Sequence, residues 1–220
     1  SDQYGVEIKN ILSLFEVPVE TVEDVIISSV VPPVFNAVRT GAYKVTGLTP
    51  MVVGPGIKTG LNIQMDNPAS VGSDLIVAAV AALQEYTAPL MLIDMGTATT
   101  ITVVDQGNNY IGGAIIPGVR VSAEALSSRA AQLPGIQLDR PKRAIGKNTI
   151  ECMRSGIMYG AAAMLDGMVE RMEAELGKPV TVVATGGIAQ FIVPLCKREM
   201  TIEKDLLLKG LNVIYKKNRK

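Results

Sequence analysis

The stretch LIDMGTATTITVVD, Leu92–Asp105, decides how this chain folds. An apolar run brings Asp94 to its end, and the small, hydroxyl-rich segment 96–100 separates it from a second run of β-branched residues. Two such runs around a short polar turn predict a β-hairpin with strands at 89–94 and 100–105. The tip of this hairpin would carry a carboxylate and several hydrogen-bond donors.

The hairpin tip has the composition of a phosphate-binding turn. Gly96 allows the backbone to approach a phosphate closely, and the hydroxyl and amide groups of Thr97 and Thr99 can bind its oxygens. The pattern resembles the phosphate-binding hairpin of the actin, sugar-kinase and heat-shock ATPase superfamily. An ordinary hairpin with a polar tip is the alternative that the motif alone leaves open.

Composition limits the class of protein. The 220 residues suit one large or two small domains, 48% of them are hydrophobic, and the formal net charge is zero. A neutral chain argues against a protein dedicated to nucleic acid or to a membrane surface. With no apolar run of membrane-spanning length and no recognisable signal peptide, we expect a cytoplasmic protein. Cys152 and Cys196 are expected to be free thiols.

Histidine is absent from the sequence. Its absence excludes His-based triads, His general bases and most zinc sites, so acid–base chemistry must come from carboxylates, lysine, tyrosine or cysteine. Among the carboxylates, Asp74 begins an apolar helix. It fits either a helix cap that accepts backbone N–H groups or a general base that deprotonates a substrate hydroxyl, and the residues alone favour the cap.

The order of predicted elements indicates an α/β fold. The second half reads as three meandering strands followed by a helix, a strand and a helix, which resembles the ribonuclease-H-like unit that the superfamily uses twice. The first half reads as strand, helix, strand and helix. We therefore predict two ribonuclease-H-like domains, each a mixed sheet flanked by helices. The first would comprise residues 1–87 with 206–220 returning to it, and the second residues 88–205.

Individual elements follow from hydrophobic periodicity and from Gly and Pro breaks. Helices are predicted at 1–15, 34–44, 71–85, 119–132, 148–176, 187–195 and 206–217, and strands at 24–30, 51–53, 89–94, 100–105, 110–116 and 180–185. Because the chain opens on an amphipathic helix without an initiator methionine, we expect the first domain to lack its N-terminal strands here.

Nine short motifs together are more specific than any one of them. In chain order they are SSVVPP (28–33), GPGIKTGLNI (54–63), DNP (66–68), DMGTATT (94–100), GGAIIPG (112–118), SAEAL (122–126), IGKNT (145–149), SGIMYG (155–160) and ATGG (184–187). The whole chain resembles the type III pantothenate kinases. The resemblance implies transfer of the γ-phosphate of ATP to the hydroxyl of pantothenate, which gives 4′-phosphopantothenate, the first step of coenzyme A synthesis.

The resemblance also implies roles for particular residues. Asp74 matches the general base of the family, which reverses the preference for a helix cap. Asp94 matches a carboxylate that organises the metal and phosphate region, including a monovalent cation, K⁺ or NH₄⁺, besides Mg²⁺. The match also gives phosphate contacts to Gly96, Thr97 and Thr99, the adenosine site to Gly186 and Gly187, and the pantothenate pocket to Gly72.

The resemblance also implies a homodimer, through Thr149. It resembles a residue that reaches the neighbouring subunit's pantothenate across a homodimer interface. The helix from 148 presents a wide apolar stripe suited to helix packing, although its spacing alone favours an ordinary core. The stripe comprises Ile150, Met153, Ile157, Ala161, Met164, Leu165 and Met168.

Departures from the family pattern lie in the substrate segment and at the start of the chain. Ser73 and Leu75 flank Asp74 where the family commonly has Ala and Arg, and Met65 stands where it commonly has Tyr before Asp-Asn-Pro. The family's first phosphate motif, Asp-x-Gly-Asn-Thr, whose Asp helps to bind Mg²⁺, has no match, so we expect this chain by itself to be a poor kinase.

Two rival functions remain open. A non-catalytic homologue of the same fold, acting as a transcription accessory factor, is favoured by the loss of Arg beside Asp74 and opposed by the intact Asp74, Asp94 and Gly96. Another sugar or acetate kinase is opposed by the run GPGIKTGLNI, 54–63.

Overall fold

A computed structural model describes residues 1–130 and 132–219. The α-helices among these residues are α1 (Asp2–Leu14), α2 (Pro32–Thr46), α3 (Ser73–Glu85), α4 (Val119–Arg129), α5 (Thr149–Leu176), α6 (Ala189–Ile192) and α7 (Leu206–Asn218). The strands are β1 (Ile26–Ile27), β2 (Met51–Val52), β3 (Asn62–Ile63), β4 (Leu90–Met95), β5 (Ala98–Val104), β6 (Asn109–Pro117), β7 (Thr181–Thr185) and β8 (Thr201–Ile202). The result is an α/β fold, as predicted.

The chain divides into two compact units. The first contains Ser1–Gly60, Asn67–Ala81 and Leu207–Lys220, and the second contains Leu61–Asp66 and Ala82–Leu206. Helix α3 contributes to both. It is rich in alanine, and its central residues 77–82 are all buried, as the sequence predicted for this segment.

The first unit contains the parallel strands β1 and β2 and the packed helices α1 and α2. The helices approach closely because Gly5 faces Gly41, where an added Cβ would lie 2.8 Å from the Gly5 nitrogen. Pro32 and Pro33 occupy the first turn of α2, where a missing N–H has no cost. The start of α2 was predicted at residue 34, two residues too late, because prolines also end strands.

The second unit is built on a six-stranded mixed sheet in the order β3-β6-β5-β4-β7-β8. Strands β4, β5 and β6 form the predicted antiparallel meander, while β7 joins β4 in parallel and β8 joins β7 in parallel. A bulge in β6 leaves Ile111 without a partner between Gly112, opposite Val103, and Tyr110, opposite Val104, and the φ of Gly112, 139°, lies in the region that favours glycine. Residues 62–63 add β3 in parallel to β6.

One face of this sheet carries the main core of the unit. Alternate residues of β4, namely Met91, Ile93 and Met95, point to this face and are buried against α5. Leu165 of α5 is fully buried there. Most of the apolar stripe of α5 therefore packs inside its own unit, which corrects its assignment to a subunit interface.

Several predicted boundaries were wrong. The strand predicted at 24–30 pairs over only two residues, and these are half-buried rather than buried. The helix predicted at 187–195 is a four-residue α6 followed by a 3₁₀ turn at Val193–Leu195. The helix predicted at 119–132 ends at Arg129, and Ala131 within that range lies outside the described residues.

Membrane spans were sought among the described residues. None of their helices combines the length and the hydropathy needed to cross a bilayer. The 28-residue α5 is long enough, but charged residues are distributed along it.

Candidate functional site

The predicted hairpin forms with its tip exposed. Strands β4 and β5 pair with Asp94 opposite Thr100 and Met95 opposite Thr99, and the Gly96 amide donates to the Ala98 carbonyl at 3.0 Å. Gly96 and Thr97 are exposed, so their backbone and hydroxyl groups are open to a ligand.

The start of α4 fixes the hairpin tip from behind. Gly118 donates its amide to the Thr97 carbonyl at 3.0 Å, and a Cβ added to Gly118 would lie 2.3 Å from that oxygen. It would also lie 2.5 Å from the Gly96 carbonyl oxygen. Only glycine allows this approach, so the Pro117–Gly118 step holds the tip in one backbone conformation.

Two hydroxyls of the hairpin are buried and unbonded. Among the described residues, Thr99 Oγ1 and Thr100 Oγ1 are the buried side-chain polar atoms without a hydrogen-bond partner, and Thr99 is only 1% exposed. Leaving a buried hydroxyl unbonded costs free energy, so such groups call for an explanation such as an absent ligand or ion. Thr100 stands opposite Asp94, so its hydroxyl lies on the face of that carboxylate and fits an oxygen-rich ligand there, whereas Thr99 stands opposite Met95 on the core face.

The ATGG turn lies directly against the carboxylate of the hairpin. Strand β7 pairs with β4 so that Thr185 stands opposite Asp94. At Gly186, which has φ of 92°, an added Cβ would lie 2.7 Å from Asp94 Oδ1 and from the Met95 backbone. The structure thus brings Asp94 and the hairpin together with Gly186, and Gly187 follows as an exposed residue.

In the first unit, α3 begins at Ser73, which is preceded by Gly72 and followed by Asp74. All three are half-buried. Asp74 is the second residue of the helix, and its Oδ1 accepts from the neighbouring amide of Leu75 at 2.9 Å. A Cβ at Gly72 would lie 2.4 Å from Asp74 Oδ1, so the carboxylate occupies the space that a side chain at position 72 would need.

The remaining predicted substrate residues lie in the second unit. The Met65 sulfur is beside Gly112 of β6, 3.7 Å from where a Cβ on that glycine would be. Thr149 is the exposed first residue of α5. Asn148 caps this helix by accepting from the Glu151 amide at 2.9 Å.

Glu151 lies among cationic side chains at the start of α5. The Lys147 amide donates to Glu151 Oε2 at 3.1 Å, and this bond lowers the pKa of Glu151. Desolvation opposes the shift, while Arg143, 3.8 Å from the carboxylate, adds to it. Glu151 is therefore a structural anion that completes the cap.

Metal-binding clusters were sought in residues 1–130 and 132–219. No group of three or more His, Cys, Asp or Glu side chains there could hold a metal ion by itself. A cation at Asp94 would need oxygens from a bound phosphate as additional ligands, which is the usual arrangement for Mg²⁺.

Ser28 and Thr100 were missed by the sequence analysis. The hydroxyl of Ser28 lies 2.8 Å from that of Ser73, across 45 residues of sequence, and no local pattern signals such a pair. Thr100 was included in the hydroxyl-rich segment 96–100 and at the start of a strand but was given no role of its own, although the register of β4 and β5 places it opposite Asp94. Counting strand register from the hairpin tip would have identified it.

Comparison with known proteins identifies the family. A sequence model described as type III pantothenate kinase matches residues 1–171. A type III pantothenate kinase of Exiguobacterium sp. is 46% identical over 220 residues, covering all of this chain and 86% of the relative. The chain belongs to the type III pantothenate kinase family. A second family member, from Bacillus cytotoxicus, is 44% identical over 99% of this chain and 83% of its own length.

Membership of the family makes this chain a kinase, with ATP as phosphoryl donor and pantothenate as acceptor. Solved structures share its fold. A Baf family transcriptional activator from Campylobacter jejuni superposes with a TM-score of 0.62 at 18% identity, over 94% of this chain and 88% of that protein. Component A of the (R)-2-hydroxyglutaryl-CoA dehydratase of Acidaminococcus fermentans gives 0.50 at 15% identity, over 97% and 83%.

Proposed function

We propose that the chain transfers the γ-phosphoryl group of ATP in line to the 4′ hydroxyl of pantothenate, with Asp74 as general base. Asp74 takes the proton of the hydroxyl as its oxygen bonds to the γ-phosphorus, and the bond from that phosphorus to the oxygen of ADP breaks. Such transfer depends mainly on positioning and charge neutralisation. With no histidine in the chain, a carboxylate is the suitable base.

One observation carries the phosphate half of this proposal. The hairpin tip is exposed at Gly96 and Thr97, while the nearby Thr100 hydroxyl, on the same face of the sheet as Asp94, is buried and unbonded. Phosphate oxygens are strong acceptors that would bond both the tip amides and this hydroxyl. Gly186 and Gly187 provide a bare backbone surface for the adenosine, next to the Asp94 carboxylate.

The cation requirements follow from the charge of the nucleotide. Asp94 would hold a monovalent cation, K⁺ or NH₄⁺, beside the phosphates, with the buried Thr100 hydroxyl opposite it in register. Mg²⁺ would be held mainly by phosphate oxygens, and when bound it neutralises charge that develops on them. Asp94 and Thr100 supply oxygen donors, which are the ligands that these hard cations prefer.

The acceptor site and the assembly are proposed from the family match. Gly72, Ser73 and Met65 would contact pantothenate, and Thr149 would reach the pantothenate of a second subunit in a homodimer. Support for a shared site comes from exposed apolar side chains near Thr149. Ile145 is 82% exposed and Ile150 is 46% exposed, and such side chains are commonly covered by a partner.

The proposed architecture and location complete this assignment. We assign residues 1–87 with 206–220 to one ribonuclease-H-like domain and residues 88–205 to a second. The meander followed by the parallel strand β7 supports this assignment for the second domain. The enzyme is proposed to act in the cytoplasm, where its phosphoryl donor ATP is present.

A transcription accessory role is the weaker candidate. It draws on likeness to the Campylobacter jejuni activator, but a likeness at 18% identity concerns the fold alone. The two relatives at 44% and 46% identity are both kinases.

The test of the mechanism is Asp74→Asn in the full-length protein. General bases contribute roughly 10²–10⁴-fold, so we expect kcat to fall by about that factor while ATP binding, measured by calorimetry, is unchanged. Asp24→Asn is the control for loss of a carboxylate in the first unit, because Asp24 likewise accepts from its neighbouring amide, at 3.0 Å from Val25, and it also bonds Tyr215. Near-native turnover of Asp74→Asn would refute the assignment.

A further inference from the structure

The carboxyl end of β1 contacts the first turn of α3 at two points. Ser28, which directly follows β1, has its hydroxyl 2.8 Å from that of Ser73, and both are half-buried. Val30, two residues on, lies against Gly72, with its Cγ1 3.5 Å from where a Cβ on Gly72 would be. Ser28 and Val30, both in the segment that follows β1, thus contact neighbouring residues at the start of α3.

Gly72 and Ser73, which receive these contacts, directly precede the carboxylate of Asp74. Its Oδ1 lies over Gly72 and accepts from the amide of Leu75 at 2.9 Å. The Ile76 amide, in turn, donates to the Gly72 carbonyl at 3.2 Å, so the turn that carries the carboxylate is already helical. The Ser28–Ser73 bond is then the polar link between this turn and β1.

We propose that Ser28 is a positioning residue for phosphoryl transfer. Its hydroxyl, bonded to that of Ser73, holds the first turn of α3 against β1 and so keeps the Asp74 carboxylate directed at the acceptor hydroxyl. This inference rests on the role of Asp74 as general base. Small displacements of a catalytic group are costly, since misplacement by about 1 Å can reduce the rate by about 10²-fold.

The pair also has a defined chemistry. Each serine hydroxyl has one proton to donate and lone pairs to accept, so one member of the pair donates and the other keeps its proton. Removing either hydroxyl leaves the other without this partner. A threonine at position 28 retains the hydroxyl and its donor and acceptor capacity, so it is a conservative rescue.

The experiment is a double-mutant cycle in the full-length protein, with kcat and KM measured for both substrates. We expect Ser28→Ala and Ser73→Ala each to lower kcat about tenfold with KM for ATP within about twofold, and the double variant to be no worse than either single one. Ser28→Thr should recover kcat to within about threefold of the wild type. Ser29→Ala is the matched control, because the Ser29 hydroxyl accepts from the Val31 amide, at 3.2 Å, within its own segment.

Each other outcome overturns the inference in a recognisable way. If Ser28→Ala keeps kcat within about twofold while Asp74→Asn is inactive, the base stands and the positioning role is wrong. If KM for pantothenate rises with kcat unchanged, Ser28 serves binding instead. Multiplicative losses in the double variant would show independent roles. If Asp74→Asn stays active, the proposed mechanism and this inference fail together.

Discussion

At the scale of single residues, the site depends on glycines that admit close contacts. Gly186 and Gly118 each sit where an added Cβ would meet backbone or a carboxylate within 2.7 Å. The motifs GGAIIPG and ATGG include both positions. The reason for these glycines could not be predicted, because the contacts are made with Asp94, Met95 and Thr97, which are distant in sequence.

Gly186→Ala should therefore destabilise the protein and weaken ATP binding. The φ of 92° strains any other residue, typically by about 1–3 kcal/mol, and the new Cβ would displace the Asp94 carboxylate. A loss of this size lowers the melting temperature by at least about 2 °C in a protein of this length. Calorimetry of unfolding and of ATP binding measures both effects.

Gly187→Ala is the stability control for that variant. A Cβ at Gly187 would have no heavy atom within 4 Å, so its melting temperature should change little. Equal melting temperatures for the two variants would contradict the account of Gly186.

At the scale of elements, the hairpin and the long helices could be predicted, whereas the two-residue strands could not. The hairpin strands were expected at 89–94 and 100–105 and occur at Leu90–Met95 and Ala98–Val104. Long segments show hydrophobic periodicity in the sequence. The two-residue strands β3 and β8 are too short to show it, and they are strands only because they pair with a neighbouring strand. The Ser28–Ser73 pair could not be predicted either, because it also depends on contact between residues that are distant in sequence.

The turn between β5 and β6 is stabilised by one carboxylate. Burial raises the pKa of Asp105, but the bonds from the Asn109 side chain and amide and from the Gly107 amide outweigh it, so the pKa is lowered overall. These amides donate to Asp105 Oδ1 at 2.8 Å from Gly107 and 2.9 Å from Asn109. An ionised carboxylate is the acceptor that the turn requires.

Asp105→Asn should destabilise the protein at neutral pH and much less in acid. A group whose pKa is lower in the folded state stabilises above its unfolded pKa, about 3.9, and this contribution is lost as pH falls through the folded pKa. Urea unfolding of the wild type and the variant at pH 7 and pH 3 measures the change. A difference in stability that is the same at both pH values would contradict the role assigned to ionised Asp105.

At the scale of the whole molecule, the predicted homodimer is now supported by exposed side chains near Thr149 rather than by the whole α5 stripe. The α5 stripe was expected at the interface, but Met153 and Leu165 are buried within the second unit and several neighbours pack against its core. The exposed side chains of Ile145 and Ile150 now support the prediction of a homodimer. The spacing of the stripe could not distinguish these two uses, because both require the same apolar periodicity.

The protein should sediment as a homodimer at micromolar concentration. A stable dimer needs a buried interface of roughly 2,000 Å², centred here on the start of α5. Replacing the exposed Ile150 by Asp places a charge in that interface and should shift the equilibrium toward the monomer of 23.3 kDa. Val6, which is 59% exposed on α1, provides the control substitution Val6→Asp. Monomeric wild type would refute the dimer and the shared role of Thr149.

The most direct test of the account is phosphate transfer to the predicted hydroxyl. The full-length protein is incubated with ATP and either pantothenate or its analogue lacking the 4′ hydroxyl, and products are identified by mass spectrometry. We predict ADP release that depends on pantothenate, with one phosphoryl group added to it, and no added ADP release with the analogue. Equal ADP release with both compounds, or no phosphorylated pantothenate, would contradict the account.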